Sequence, residues 1–130
     1  MARSLRILVV LIGVLGVLLV PRAAAQETLG IQIDKKATLV DGGPAVQVHG
    51  TVTCPAGAEV LEAFLYVIQD GNQSQFASLQ PVCDGTPQPF TVLAQAVGFV
   101  FHRGKAQVSG YLLLTTGEAI SPTGDVRLRG

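Results

Sequence analysis

Val46-Gln47-Val48-His49-Gly50-Thr51-Val52-Thr53-Cys54 is the stretch on which the fold turns. Val46, Val48, Val52 and Cys54 share one parity, with Gly50 in register, while Gln47, His49, Thr51 and Thr53 share the other. A period of two with one apolar side is a β-strand that has one face in a core and one in water. The Val and Thr content agrees, because branched side chains pack well on a pleated surface.

The same reading extends in both directions. Upstream, Asp41-Gly42-Gly43-Pro44 is a turn, since Gly tolerates positive φ and Pro cannot continue a ladder. Before it, Leu29, Ile31 and Ile33 alternate with polar neighbours, Lys35-Lys36 interrupts, and Ala37 to Val40 resumes the strand. Downstream, Pro55-Ala56-Gly57-Ala58 breaks the chain. Val60 to Gln69 is apolar on both faces, and helical spacing competes with strand there. Its β-branched and aromatic content and its flanking turns favour a central strand. Phe76 to Val82 reads as a weaker strand that ends at Cys83. Phe90, Val92, Ala94 and Ala96 form one apolar face, and Ala106, Val108, Gly110 and Leu112 another. A last strand runs around Asp125 to Arg129. About seven short antiparallel strands, with turns every 8–12 residues, are the pattern of a β-sandwich.

The first 25 residues are of a different kind. Arg3 and Arg6 precede an unbroken apolar run from Ile7 to Val20, Pro21 ends it, and Ala23-Ala24-Ala25 supplies small residues for a signal peptidase. The run is too short for a spanning helix, which needs about 20 apolar residues. The expectation is a hydrophobic signal-peptide helix over 1–25, cut before Gln26, and a single secreted domain over 26–130, with membrane contact only through the leader. Of the nine Lys and Arg, three (Arg3, Arg6 and Arg22) lie in the leader, and none of the nine Asp and Glu does. The domain is therefore mildly acidic and has no basic run beyond one Lys pair, which argues against nucleic acid as a partner.

Cys54 and Cys83 are the chain's two cysteines. In an exported protein an isolated pair becomes a disulfide. Their spacing is far from Cys-x-x-Cys, and a metal site would need more ligands than His49 and His102 can add. Closing a loop of this length contributes ~3–4 kcal/mol in the chain-entropy description. Both residues fall at strand ends beside turns, so the bond belongs near one rim of the sandwich.

Several segments together resemble a family of small secreted actinobacterial domains of unknown function with an immunoglobulin-like fold. They are Val48-x-Gly50-Thr51-Val52-Thr53-Cys54, Gly57-Ala58, Gln69, Cys83-Asp84-Gly85-Thr86-Pro87-Gln88-Pro89-Phe90-x-Val92, and Phe101-x-x-Gly104-Lys105-Ala106-x-Val108. In that family an aromatic residue, often Trp, stands where Phe90 is. The resemblance implies an immunoglobulin-like sandwich and a secretory context, and it implies no activity. The antibody type is excluded, because this chain has no Trp and Cys83 precedes the late strand that would carry the second cysteine.

Catalytic constellations are hard to build from these residues. His49 lies on the polar face of its strand, and His102 sits in a turn beside Arg103, a cation that should disfavour its protonation. Glu59 and Glu62 share no strand face, which speaks against a paired-carboxylate site. Asp70-Gly71-Asn72 matches only the start of a calcium loop, and Asn72-Gln73-Ser74 is a formal glycosylation sequon in a turn. The expectation is a non-enzymatic domain with no cofactor and no metal. Phe99, Val100 and Phe101 concentrate apolar bulk where alternation fails. They form either a buried strand or an exposed patch for a partner. The leading function is binding of a protein or cell-envelope ligand, or a structural role. The alternatives are a small apolar-ligand carrier and a secreted protease inhibitor that presents the Cys83 to Phe90 turn with Pro81, Pro87 and Pro89.

Overall fold

The computed structural model describes residues 28–130. The expected leader and the cut before Gln26 lie outside the described residues. The strands are β1 (Gly30–Ile33), β2 (Lys36–Val40), β3 (Ala45–Thr53), β4 (Val60–Gln69), β5 (Asn72–Gln73), β6 (Ala77–Ser78), β7 (Pro87–Gln95), β8 (Gly104–Leu114), β9 (Ala119–Ile120) and β10 (Thr123–Arg129). Among the described residues there is no helix, and Val60–Gln69 is a strand along its whole length.

Two layers form the immunoglobulin-like sandwich. In the first, β3 pairs antiparallel with β1 on one side and with β7 on the other. In the second, β8 lies between β4 and β10, antiparallel to both. Val46, Val48, Val92 and Ala94 of the first layer share one core with Leu65, Val67, Val108, Val126 and Leu128 of the second. Each is buried because strand parity leaves it no other side to face. Burying a Val or Leu fully contributes ~1.5–3 kcal/mol, so these side chains supply the main driving force for folding. A smaller cluster of Leu29, Val52, Cys54, Leu112 and Leu114 fills one rim.

The count and pairing of strands differ from the sequence expectation of about seven, all antiparallel. Ten are present among the described residues, three of them only two residues long. One contact is parallel: Lys36, Ala37 and Thr38 of β2 pair with Arg127, Leu128 and Arg129 of β10. The physical cause is the interruption at Lys35-Lys36. It lets the chain leave β1 on β3 and continue as β2, whose Thr38 to Val40 still pair with β3 while its first half crosses to β10. The strand expected over Phe76 to Val82 shrinks to Ala77–Ser78 on β4, after which Leu79 donates its N–H to the Ala63 carbonyl. Pro81 has no N–H for a ladder, and Cys83 is tied to the opposite segment, so pairing stops there.

Candidate binding face

Strand parity and register fix what the second layer shows to solvent. In β8 the inward positions are Val108, Gly110, Leu112 and Leu114, which leaves Lys105, Gln107, Ser109, Tyr111 and Leu113 outward. Cross-strand register sets Phe64 beside Tyr111, Tyr66 beside Ser109, and Ile68 beside Gln107. Phe76, from the connection between β5 and β6, lies against Phe64 with ring centroids 4.5 Å apart, and against Tyr66 at 5.4 Å. Phe64 also meets Tyr66 at 6.4 Å and Tyr111 at 6.0 Å. These separations are within the range of attractive ring pairs. Four of the chain's seven aromatic rings are thus gathered on one outward sheet face. Phe76 is 61% exposed. This explains why Val60–Gln69 is apolar on both sides: one side is core and the other carries the aromatic cluster.

The opposite end of the same face is cationic. Residues 28–130 hold six Lys and Arg: Lys35, Lys36, Arg103, Lys105, Arg127 and Arg129. Lys36, Arg127 and Lys105 are direct neighbours across β2, β10 and β8, and all three are exposed. Arg129 follows on the same face of β10, and Arg103 precedes β8 at the edge. A shallow hollow of ≈ 420 Å³ opens here, lined by Lys35, Lys105, Ala106, Asp125, Val126 and Arg127. Among the described residues, none of these six side chains is in an ion pair; the ion pair present is His102 with Asp70. Between the two ends lie Gln107, Ser109, Thr123 and Asp125, a polar band on β8 and β10.

A corner beside this face is held by Gln69 and His102. Gln69 is 3% exposed and inward, in parity with Leu65 and Val67. Its amide donates to the carbonyls of His102 and Lys105, and its Oε1 accepts the His102 N–H. A buried amide costs stability unless it is bonded in this way. The three bonds anchor the segment leading into β8. His102 turns outward. Its Nε2 lies 2.6 Å from Asp70 Oδ2 and its Nδ1 2.8 Å from the Arg103 carbonyl. Both neighbours are acceptors, so only the imidazolium form donates to both. The hydrogen bond to Asp70, then that to the Arg103 carbonyl, raises the His102 pKa above its ordinary value. The sequence expectation that Arg103 would disfavour protonation is thus corrected: Arg103 presents its carbonyl, and Asp70 supplies the charge. Asp70 and Gly71 both have positive φ, the requirement of a tight type I′ hairpin turn.

The disulfide joins Cys54 to Cys83 with Cα atoms 4.5 Å apart, at the rim filled by the smaller cluster. Two backbone bonds run beside it, from Gly57 N–H to the Cys83 carbonyl and from Gly85 N–H to the Cys54 carbonyl. Asp84 then accepts from the Thr86 hydroxyl, the Thr86 N–H and the Gln88 amide. These bonds, the Thr86 hydroxyl first, hold the Asp84 carboxyl below its ordinary value. The turn they brace is short, because Pro87 already pairs with Thr53 and Pro89 with Thr51. The stretch proposed as an inhibitor loop is therefore half strand.

Comparison with protein-family models finds no match, and comparison with curated proteins finds none. Among solved structures the chain is similar to the crystal structure of CopC from Methylosinus trichosporium OB3b, at 11% identity and a TM-score of 0.46. The alignment covers 78% of this chain and 93% of that one. A likeness of this extent says nothing of function.

The residues singled out from sequence fall in different places. Phe101 is 1% exposed and belongs to the main core, where Phe99 meets it edge-on at 4.9 Å. Phe101 is thus no part of a surface patch, and of the three patch candidates only Val100 is exposed, at 65%. The reason is local: Phe101 donates its N–H to the Gly43 carbonyl, which pins the segment to the β2–β3 turn and points the ring inward. His49 faces Thr91, with Nδ1 3.0 Å from its hydroxyl. Ser74 of the sequon is buried, accepting from Val67 N–H and donating to the Gln75 carbonyl. Among the described residues no three of His, Cys, Asp and Glu come together. Sequence reading missed the aromatic cluster. Its signal was present in the outward parity of Phe64, Tyr66 and Tyr111, but Phe76 joins them only through the fold.

Proposed function

We propose that this chain is a secreted, non-enzymatic binding domain whose contact surface is the outward face of β4 and β8. One observation carries the reading: the rings of Phe64, Tyr66, Phe76 and Tyr111 pack against one another on that face, and Phe76 stays mostly in water. Aromatic side chains on a rigid sheet offer large contact area at little entropic cost, and such residues dominate the energetics of interfaces. The leader read over 1–25 supports export, and the Cys54–Cys83 bond suits an oxidising compartment. The ligand belongs to the cell envelope in this reading. The test is retention of the purified protein on isolated envelope fractions. Phe76→Ala and Tyr111→Ala should each reduce retention several-fold while the melting temperature stays near that of the parent. Undiminished retention of the double variant would place the contact surface elsewhere.

A further inference from the structure

The outward face of the second layer carries two features that lie on one surface and not on two. At one end are the aromatic rings of β4 and β8. At the other end Lys36, Arg127 and Lys105 stand in a row across three adjacent strands, with Arg129 behind them. Neighbouring strands are ~4.8 Å apart and each residue advances ~3.3 Å, so Lys105 and Tyr111 of β8 lie roughly 20 Å from one another. Ser109, Gln107 and Thr123 fill the interval with hydroxyl and amide groups. A ligand that matches this face is extended and has apolar ring surfaces, hydroxyls and spaced negative charges.

We propose that this face binds an acidic polysaccharide with one carboxylate per sugar unit, laid along β8. The proposal rests on the binding reading given above and names the ligand class. Sugar rings present C–H faces that pack on aromatic side chains, and their hydroxyls pair with Ser109, Gln107 and Thr123. The carboxylates meet the cationic row, where Arg127 offers a planar fork that matches a carboxylate through two bonds. Every Lys and Arg after the leader lies at this end of the domain, and among the described residues none is neutralised by an ion pair. Charge density decides between polyanions. The described residues hold two more acids than bases, and Asp125 stands on the face itself. A densely charged polymer such as nucleic acid or polyphosphate would be repelled over most of the surface. A polymer with one charge per ring carries a lower charge density, so fewer of its charges fall outside the cationic row and the repulsion from the acidic remainder is weaker.

The experiment is affinity electrophoresis of the purified protein in gels containing polygalacturonate, dextran or inorganic polyphosphate, with envelope retention measured in parallel. Polygalacturonate should retard the protein most, and added salt should weaken the effect. Lys105→Gln combined with Arg127→Gln should weaken polygalacturonate binding about tenfold, the sum of several modest exposed contacts, at an unchanged melting temperature. Phe76→Ala should weaken binding to dextran and polygalacturonate alike. If polygalacturonate retards no better than dextran, or the Lys105/Arg127 variant matches the parent, the anionic ligand is overturned while envelope retention through the aromatic face still stands. If polyphosphate retards as strongly as polygalacturonate, the sugar component is overturned. If Phe76→Ala combined with Tyr111→Ala keeps full envelope retention as well, the reading of this face as the contact surface falls.

Discussion

A methyl group at position 50 would run into the Gln32 carbonyl and sit 2.7 Å from Cζ of Phe90. Gly50 therefore opens the space that the Phe90 ring fills on the inward side of β3, opposite its register partner. Gly50→Ala should lower stability by about 1–3 kcal/mol, as overpacked cores do, and a thermal melt will read it. At the surface the informative residue is His102. Both ring nitrogens face acceptors, so the folded state favours the proton, and the ring should titrate above the ordinary histidine value of 6.5. A group whose folded pKa is raised contributes stability that is complete below the unfolded value. That stability is lost as pH rises through the folded one. The contact should therefore hold the Asp70 turn to the 102–103 segment in mildly acid solution and release it in alkaline solution. An NMR titration of the ring checks the direction, and Asp70→Asn should return the midpoint towards 6.5. A midpoint unchanged by Asp70→Asn would show that the carboxylate is not the cause.

At the scale of elements, β3 was legible because its two sides meet different media, and a period of two records that difference. The layer of β8 was legible for the same reason, and the rim position of the disulfide follows from turns beside both cysteines, Cys54 just after β3 and Cys83 on the approach to β7. What sequence could not show is pairing between distant segments. Nothing in Lys35-Lys36 says that the chain crosses from β3 to β10. Nothing near Phe76 says that its ring will lie on Phe64. The weak strand expected over Phe76 to Val82 failed because apolar content alone does not supply a ladder partner. Gln69 was noticed only as part of a resemblance, though its inward parity marks it as an amide in need of bonds. The Cys54–Cys83 link acts on an element, because it ties the end of β3 to the approach of β7. Replacing both cysteines by Ala should cost about 2–4 kcal/mol and leave the strand order unchanged. A denaturation curve gives the first quantity and far-ultraviolet circular dichroism the second. β7 pairs along one side with β3, and Pro87 and Pro89 fit such an edge because each removes a donor that would otherwise face outward.

For the whole molecule, charge and aromatic surface are both segregated, and on the same layer. Neither pattern is visible in composition, where bases and acids balance across the chain. The segregation follows from register: three cations that are far apart in sequence become neighbours once β2, β10 and β8 align.

The parallel contact between β2 and β10 has a mechanical consequence. The chain enters β2 at Lys36 and leaves β10 at Arg129, with the two strands side by side and pointing the same way. Traction on the two ends drags these strands past each other along their length. The hydrogen bonds between them are then loaded together and must break nearly at once, whereas the bonds of a peeled hairpin break singly. The ladder should act as a clamp in series with any tether at either terminus. Single-molecule stretching should show one high-force rupture, and Ala37→Pro, which places a proline inside the clamp, should lower that force far more than it lowers the force needed to peel β7.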